Sequence, residues 1–357
     1  MKTRFTTAAV AIGIVALGVS VLSHSSPFHI AQASAAHATA TGLAIPSTSA
    51  SASATPSASP SPSPSTTPTV PPVSDFIAPS SGKYLGISLV NGEKGLAGYD
   101  ATTGIPADLQ EEFLDYGQPP PLTHILDAYQ QHALTVLSWQ PVDASMTSII
   151  AGKQDSYITT FADELSQTTI PVGIVFAPEF NGNWESWGAG GPDHTTPAQY
   201  VAAWRRVHDL FVAAGATNVI WIWAPNVINP VPKVDISQYW PGPQYVNWIG
   251  MSAYWTGNLG EDSWPTLIEP TEQKVLAFTN DPIVITETGA EQGSEKITWI
   301  GDMLAGLASD PHVLGMIYLD SGTAQGKRED WTFTDDPADL AAWKQGAQKL
   351  VTVQVDK

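Results

Sequence analysis

Short apolar segments alternate with helical patterns along residues 76–357 of this 357-residue chain. Seven segments look like strands that end in small or polar residues: Tyr84–Leu89, Leu134–Trp139, Pro171–Phe176, Val219–Trp223, Trp248–Ser252, Pro282–Thr286 and Val313–Leu319. Strands that alternate with helices form βαβ units and a parallel sheet. Because a single (β/α)8 barrel takes about 250 residues, we predict an α/β fold of this kind, a TIM barrel, over residues 76–357. Eight-fold closure places the missing second strand in the weakly patterned region before Tyr116.

Two helical segments have clear boundaries. Thr196 supplies an N-cap and Pro197 the first helical position of a segment that runs to Ala214 and stops at Gly215. The other segment, Asp155–Leu165, carries apolar residues at core spacing and leads into the fourth strand. We expect packing roles for three side chains of the first helix, namely Trp204, Arg205 and His208.

The N-terminus has the pattern of an export signal. Lys2 and Arg4 precede an apolar run from Ala8 to Leu22, and Ala33-Ser34-Ala35 offers a cleavage site. The alternative is a membrane anchor, which the length of the run disfavours: it has 15 residues, and crossing a bilayer takes roughly 20. We therefore predict a signal peptide over residues 1–35 and a secreted, extracellular protein.

Residues 36–75 consist largely of Ser, Thr, Ala and Pro. Such a segment buries too little apolar surface to offset the entropy lost on ordering, and its prolines favour an extended polyproline conformation. We predict a disordered Pro/Ser/Thr/Ala-rich linker here, followed by the barrel domain over residues 76–357.

The mature chain is strongly acidic. Lys2 and Arg4 belong to the predicted signal, which leaves 13 of the 15 basic residues against 34 acidic ones, a net charge of −21. Nucleic acids and anionic membranes need basic patches, so we expect neither as a partner after signal cleavage. A neutral polymer remains compatible with this net charge as a partner. The absence of cysteine excludes disulfides and thiolate metal sites.

Two glutamates follow predicted strands directly. Glu179 comes after the fourth strand and Glu287 after the seventh, and the C-terminal ends of barrel strands carry catalytic side chains. A lone carboxylate at such a position is often a helix cap or ion-pair partner, but two together indicate glycoside hydrolysis with retention. That reaction needs a protonated acid and a carboxylate nucleophile about 5–5.5 Å apart. We assign the acid/base role to Glu179 and the nucleophile role to Glu287.

Tryptophan is abundant, with 13 residues. Several follow predicted strand ends: Trp139, Trp184, Trp187, Trp223, Trp255 and Trp331. Aromatic faces stack on sugar rings, and core packing is the alternative role. We favour burial for Trp221 and Trp223, which alternate along one strand, and sugar binding for Trp184 and Trp255, which lie in glycine-rich loops.

Four groups of residues occur in a characteristic order: Ile150–Lys153 with Asp155 and Tyr157, Glu179–Trp184, Trp223–Asn226, and Ile285–Gly289. At these residues the chain resembles glycoside hydrolase family 26, the β-mannanases and related β-glucanases of clan A. The resemblance implies a (β/α)8 barrel, double-displacement chemistry with Glu179 as acid/base and Glu287 as nucleophile, and no metal or cofactor. It also implies that Tyr254 lies in the −1 subsite and that Trp184 stacks on substrate. Five further substrate-binding candidates are Asn181, Trp139, Asn226, Trp255 and Tyr318.

The chain departs from the family pattern at three positions. Pro178 replaces the family's His before the acid/base, and Ser252 replaces an Asp that organises the −1 subsite. Tyr318 stands where many relatives carry Trp, and Asp320 after it is either a polar contact or a cap.

The combined expectation is a secreted, monomeric, retaining endo-β-glycosidase that hydrolyses a β-1,4-linked polysaccharide, with mannan first and β-glucan second. The departures at Pro178 and Ser252 leave open a catalytically weakened, polysaccharide-binding barrel. Trimming of the producer's own exopolysaccharide fits the same residues.

Overall fold

The computed structural model describes residues 70–88, 95–227, 233–255, 257, 260, 262–322, 330–353 and 355. Within these residues eight parallel strands close into a barrel in sequence order, so the predicted (β/α)8 fold is confirmed. The predicted signal peptide and nearly all of the predicted linker lie outside the described residues.

The strands agree closely with the apolar segments of the sequence. They are β1 Tyr84–Ser88, β2 Leu109–Asp115, β3 Leu134–Gln140, β4 Val172–Phe176, β5 Val219–Trp223, β6 Trp248–Trp255, β7 Ile283–Ala290 and β8 Val313–Leu319. The second strand lies immediately before Tyr116, as eight-fold closure predicts. β6 and β7 continue three and four residues beyond their predicted ends at Ser252 and Thr286, so Glu287 lies within its strand rather than after it.

Helices follow most of the strands. They are α1 Ser74–Ile77, α2 Gly95–Thr103, α3 Leu122–Gln130, α4 Met146–Ile150, α5 Asp155–Ser166, α6 Pro197–Ala213, α7 Trp264–Leu267, α8 Glu269–Leu276, α9 Lys296–Ser309 and α10 Pro337–Ala347, with a 3₁₀ turn at Ile236–Tyr239. α6 begins as predicted, in a capping box between Thr196 and Gln199. No helix among the described residues is both long and apolar enough to cross a membrane.

Helix α1 closes the N-terminal end of the barrel. Phe76 is buried, and its carbonyl accepts a hydrogen bond of 2.8 Å from the hydroxyl of Tyr84, the first residue of β1. The indole of Trp248, the first residue of β6, donates to the carbonyl of Ile77 at 2.8 Å. α1 starts at Ser74, two residues before the predicted domain boundary. The opposite end of the barrel remains for the site.

The interior of the barrel is packed by large side chains beside glycines. A Cβ on Gly86 would lie 2.8 Å from the Cβ of Leu109, and one on Gly250 would lie 2.5 Å from the Cβ of Ala224. Both glycines therefore allow a close approach that no other residue permits. Alternate residues point to the outer helices, where Trp221 and Trp223 are buried as predicted.

Candidate active site

Glu179 lies at the C-terminal end of β4, in a turn with unusual backbone angles. Ala177 has φ 48° and Glu179 has φ 53°, a left-handed conformation that costs a residue with a Cβ about 1 kcal/mol or more. The turn is fixed on both sides. The Glu179 amide donates to the Ala224 carbonyl after β5 at 2.8 Å, and the Pro178 carbonyl accepts from the Trp187 indole at 2.7 Å. Pro178 thus belongs to a rigid support for the glutamate.

The Glu179 carboxyl is buried and has two donors. Oε1 accepts from Asn226 Nδ2 at 2.8 Å, and Oε2 accepts from the Trp184 indole at 2.5 Å. Burial raises the pKa of Glu179, while the hydrogen bonds from Asn226 and Trp184 and the nearby Ser252 hydroxyl act in the opposite direction. The net upward shift of the pKa favours the protonated form, which a general acid requires.

Asn226 is held in place by Asn181. The Asn181 amide donates to the Asn226 carbonyl at 2.8 Å and accepts from the Asn226 amide at 2.8 Å. Asn181 is fully buried, so the prediction that it binds substrate directly is wrong: it positions the residue that contacts the acid. Asn226 retains a buried Oδ1 without a partner among the described residues.

Trp184 folds back over its own loop. A Cβ on Gly182 would lie 2.6 Å from the indole, so the ring fits against this segment only because residue 182 is glycine. The ring is partly exposed and is tied to Glu179 by its N–H. The structure therefore places the predicted stacking residue beside the predicted acid.

Glu287 is directed into the barrel by an irregularity in β7. Gly250 of β6 pairs with Val284 of β7, and Ser252 of β6 pairs with Glu287 of β7. The step is two residues along β6 but three along β7. This extra residue is a β-bulge, a feature that turns a side chain to the other face of a strand. Glu287 is 2% exposed, and its Oε2 accepts from the Tyr254 hydroxyl at 3.2 Å. The pKa of Tyr254 is raised well above its ordinary value, mainly by burial and next by Glu287. The Tyr254 hydroxyl therefore stays protonated and can donate its hydrogen bond.

Ser252 connects the two halves of the site. Its backbone pairs with Glu287 and forms a bridge with Asn226, the partner of Glu179. Its hydroxyl acts on the Glu179 carboxyl, lowering the pKa of that group. Ser252 therefore lies between Glu287 and Asn226, the residue that contacts Glu179, at the C-terminal end of the barrel.

Trp331 supplies the aromatic surface next to Tyr254. Their ring centroids are 5.0 Å apart with an interplanar angle of 32°, and the indole lies over Gly289. Leu319 and Phe113 complete this small cluster. Trp331 is one of the tryptophans noted in the sequence, but it was not assigned to the site.

Tyr318 occupies the outer layer instead of the site. It is 1% exposed, packs edge-on against Phe333 and Trp343, and accepts from the Ala290 amide at 3.1 Å. The predicted substrate contact is wrong because the ring faces the helices. Asp320 accepts from the amides of Phe333 and Thr334 and from the Thr334 hydroxyl, so it holds the loop before α10 in place.

Trp139 and Trp255 are also packing residues. Trp139 is fully buried and stacks on Phe161 of α5 with a centroid separation of 4.6 Å. Trp255 follows the inward-facing Tyr254 and so points to the opposite face of β6, where it lies against Gly293 and is 6% exposed. The Trp139 ring offers no face to a sugar, so that predicted contact is wrong, and the contact predicted for Trp255 stays a prediction.

Glu111 of β2 is a third carboxyl of the site, which the sequence did not reveal. It is 1% exposed. Its pKa is raised well above the usual value, first by burial and then by Glu287, with a smaller contribution from Glu179. A signal existed in the two adjacent glutamates of the segment Leu109–Asp115, one of which must face inward if the segment is a strand.

Comparison with known proteins agrees with this geometry. The sequence profile described as Glycosyl hydrolase family 26 matches residues 135–289, a range that contains Glu179 and Glu287. Over these residues the chain is similar to glycoside hydrolase family 26. The match begins within β3 and ends in β7, so it covers the strands that carry the acid, the bulge and the subsite tyrosine.

Relatives carry two kinds of name. Endoglucanase H of Acetivibrio thermocellus is 28% identical over 226 residues, which are 61% of this chain and 24% of that protein. Mannan endo-1,4-beta-mannosidase A and B of Caldalkalibacillus mannanilyticus is 33% identical over 98 residues, which are 26% of this chain and 18% of that protein. The chain thus spans less than a third of the length of these two relatives.

Solved structures share the fold. A GH26 β-mannanase from Bacteroides ovatus superimposes with a TM-score of 0.60 at 16% identity, over 79% of this chain and 93% of that one. A modular endo-β-1,4-mannanase from Cellulomonas fimi gives a TM-score of 0.56 at 16% identity, over 77% of this chain and 72% of that one. At such identities the likeness concerns the barrel itself.

Proposed function

We propose that this chain is a retaining, endo-acting glycoside hydrolase of family 26 that cleaves β-1,4-linked polysaccharide, with mannan as its main substrate. One observation carries the proposal: two carboxyls from β4 and β7 meet at the mouth of the barrel in different surroundings. Glu179 is buried with a raised pKa, and Glu287 accepts from Tyr254. Such a pair divides the acid and nucleophile roles.

The chemistry takes two steps. Glu287 attacks the anomeric carbon while Glu179 gives its proton to the leaving oxygen, so the glycosidic bond breaks and a glycosyl ester forms on Glu287. Glu179, now ionised, takes a proton from water, which attacks the same carbon and releases Glu287. Trp184 stands beside the acid and presents a partly exposed ring to the sugar on the leaving-group side.

Mannan is supported by the names of relatives and by the two mannanase structures that share the fold. A second candidate, β-glucan, is favoured by a specific observation: the match to Endoglucanase H covers 61% of this chain, more than twice the share covered by the mannosidase. Ser252 also lies in the floor of the site, where the family pattern carries a carboxylate.

The test is a polymer panel of mannan, glucomannan, mixed-linkage β-glucan and β-1,3-xylan. We expect reducing ends to appear first on mannan, with a fall in viscosity that marks endo action and an initial β-anomer by NMR. Faster release from mixed-linkage glucan would transfer the assignment to the second candidate. Binding to a polymer without release of sugar would contradict the hydrolase and favour a polysaccharide-binding barrel.

We also propose that the chain is exported and acts outside the cell as a monomer. Support comes from the basic start, the apolar run and the small-residue site near residue 35. Sequencing the N-terminus of the protein from culture supernatant should give a start close to residue 36. A cell-bound chain that retains Met1 would contradict export, and light scattering of the purified chain tests the monomer.

A further inference from the structure

Glu111 faces the interior of the barrel at the level of the catalytic pair. Its backbone pairs with Ser88, the last residue of β1, and with Val136 of β3, so it sits between two neighbouring strands, level with the C-terminal end of β1. Leu109, two residues earlier on the same face, packs where a Cβ on Gly86 would stand. The carboxyl acts electrostatically on Glu287, Glu179 and Tyr254.

Both Glu111 oxygens are buried, and neither has a hydrogen-bond partner among the described residues. The Ser88 hydroxyl lies near enough to favour the ionised carboxyl, but not in hydrogen-bond geometry. A buried carboxyl without partners is costly, by about 1–3 kcal/mol or more.

The surroundings favour a neutral Glu111. Burial is the largest cause of its raised pKa, and two nearby carboxyls add to it. A neutral carboxylic acid donates one hydrogen bond and accepts others. A sugar hydroxyl does the same, so the two groups match without placing a third negative charge in the site.

We propose that Glu111 is a further substrate-contacting residue, whose carboxyl hydrogen-bonds a ring hydroxyl of the sugar that lies between Glu179 and Glu287. The inference rests on the proposed hydrolase function for the identity of the ligand. It gives Glu111 a role separate from the nucleophile, because Glu287 has the Tyr254 hydroxyl as donor and Glu111 has none. Contact at the reacting ring makes Glu111 a residue that selects the sugar.

Two variants and one matched control test the contact. Glu111→Gln keeps a donor and an acceptor of similar shape, whereas Glu111→Met keeps the volume and removes both. Glu112→Gln is the control, since the adjacent side chain points to the other face, where it accepts from His124 and Gln110. The readouts are kcat/KM on the polymer panel, thermal midpoint, and calorimetric binding of mannohexaose and cellohexaose in a Glu287→Ala background.

We expect Glu111→Met to lower kcat/KM by about 10- to 100-fold and to weaken hexasaccharide binding, with a thermal midpoint equal to or above that of the parent. Glu111→Gln should keep most of the activity, and Glu112→Gln all of it. Activity of Glu111→Met within about threefold of the parent would overturn the contact. A fall in thermal midpoint that accompanies the loss in both Glu111 variants would also overturn it, because that is the signature of a structural role.

The same experiment separates this inference from the proposed function. If the parent chain releases sugar from no polymer, the hydrolase proposal fails, and the comparison of hexasaccharide binding with and without Glu111→Met decides the contact. Equal binding by both chains, or none by either, overturns it. Weaker binding with Glu111→Met supports it even in a chain that does not hydrolyse.

Discussion

At the N-terminal end of the barrel, three polar side chains have partners within the chain. Tyr84 and Trp248 donate to the carbonyls of α1, and Lys83 donates to the carbonyls of Asp310 and Val313. At the C-terminal end, Glu111, Ser138 and the Oδ1 of Asn226 are buried without partners among the described residues. At the N-terminal end the Thr135 hydroxyl of β3 is the exception among the described residues, whereas the unpartnered groups at the C-terminal end lie around the proposed site, where a ligand would complete their contacts.

The difference shows how one barrel divides its work. A paired buried group contributes about 1 kcal/mol to stability, and an unpaired one costs about 1–3 kcal/mol. The site end therefore lowers stability in exchange for binding, while the closed end restores it. Changes at the two ends should separate: those at the site should affect turnover and leave the melting temperature intact, and those at the closed end should do the reverse.

Glu287→Ala should give the largest effect. We expect a loss of turnover of roughly 10⁴-fold, because the covalent step has no nucleophile, and a thermal midpoint within about 3 °C of the parent. Added azide should restore activity and give an α-glycosyl azide, the inverted product. Turnover at the parental rate would remove Glu287 from its role, and a collapse of the melting temperature would break the division between the two ends.

Glu179→Ala should give the next largest effect, and one that depends on the substrate. We expect a loss of about 10²- to 10⁴-fold on polymer, whose leaving group needs a proton, and a much smaller loss on activated aryl glycosides, whose leaving group does not. Kinetics on both substrate types measure the ratio. Equal losses on the two would show that Glu179 is not the acid.

The sequence predicted the strands well and one strand poorly, for a physical reason. Seven strands are apolar on both faces because helices cover one face and the barrel interior the other. β2 carries Glu111 inside the barrel and Glu112 outside, so it lacks the apolar run that identifies the others. Glu111, which interrupts the apolar pattern of β2, is also the residue that we propose contacts the substrate. Local sequence rules are expected to fail at such functional positions.

Which face each residue occupies was the harder part. Trp139, Trp255 and Tyr318 lie at or next to the ends of strands, yet all three are buried. A strand buried on both faces gives no polar alternation from which to read its orientation. The inward orientation expected for Tyr254 predicts an outward orientation for Trp255, since neighbours on a strand point in opposite directions. The bulge that turns Glu287 inward leaves no such mark in the sequence.

Acidity should affect the site end in a defined direction. The raised pKa values of Glu111 and Glu179 mean that the folded chain holds protons that the unfolded chain has released. Stability is thus fully present below pH about 4.5, the ordinary glutamate value, and is lost as pH rises through the folded values. Melting temperatures across pH 4–8 measure this. Glu179→Gln should flatten the curve, and an unchanged pH dependence would contradict the buried acid.

Tyr84→Phe should give the smallest effect, at the closed end. It removes the hydrogen bond to Phe76 and leaves a buried carbonyl without its donor, so we expect a loss of about 1 kcal/mol and a thermal midpoint lower by about 2–4 °C. Because the ring still packs against Trp248 at 5.5 Å, the barrel should close as before. kcat/KM should therefore match the parent. A change in kcat/KM without a change in melting temperature would mean that α1 is coupled to the site through the barrel interior, and the two ends would no longer be independent.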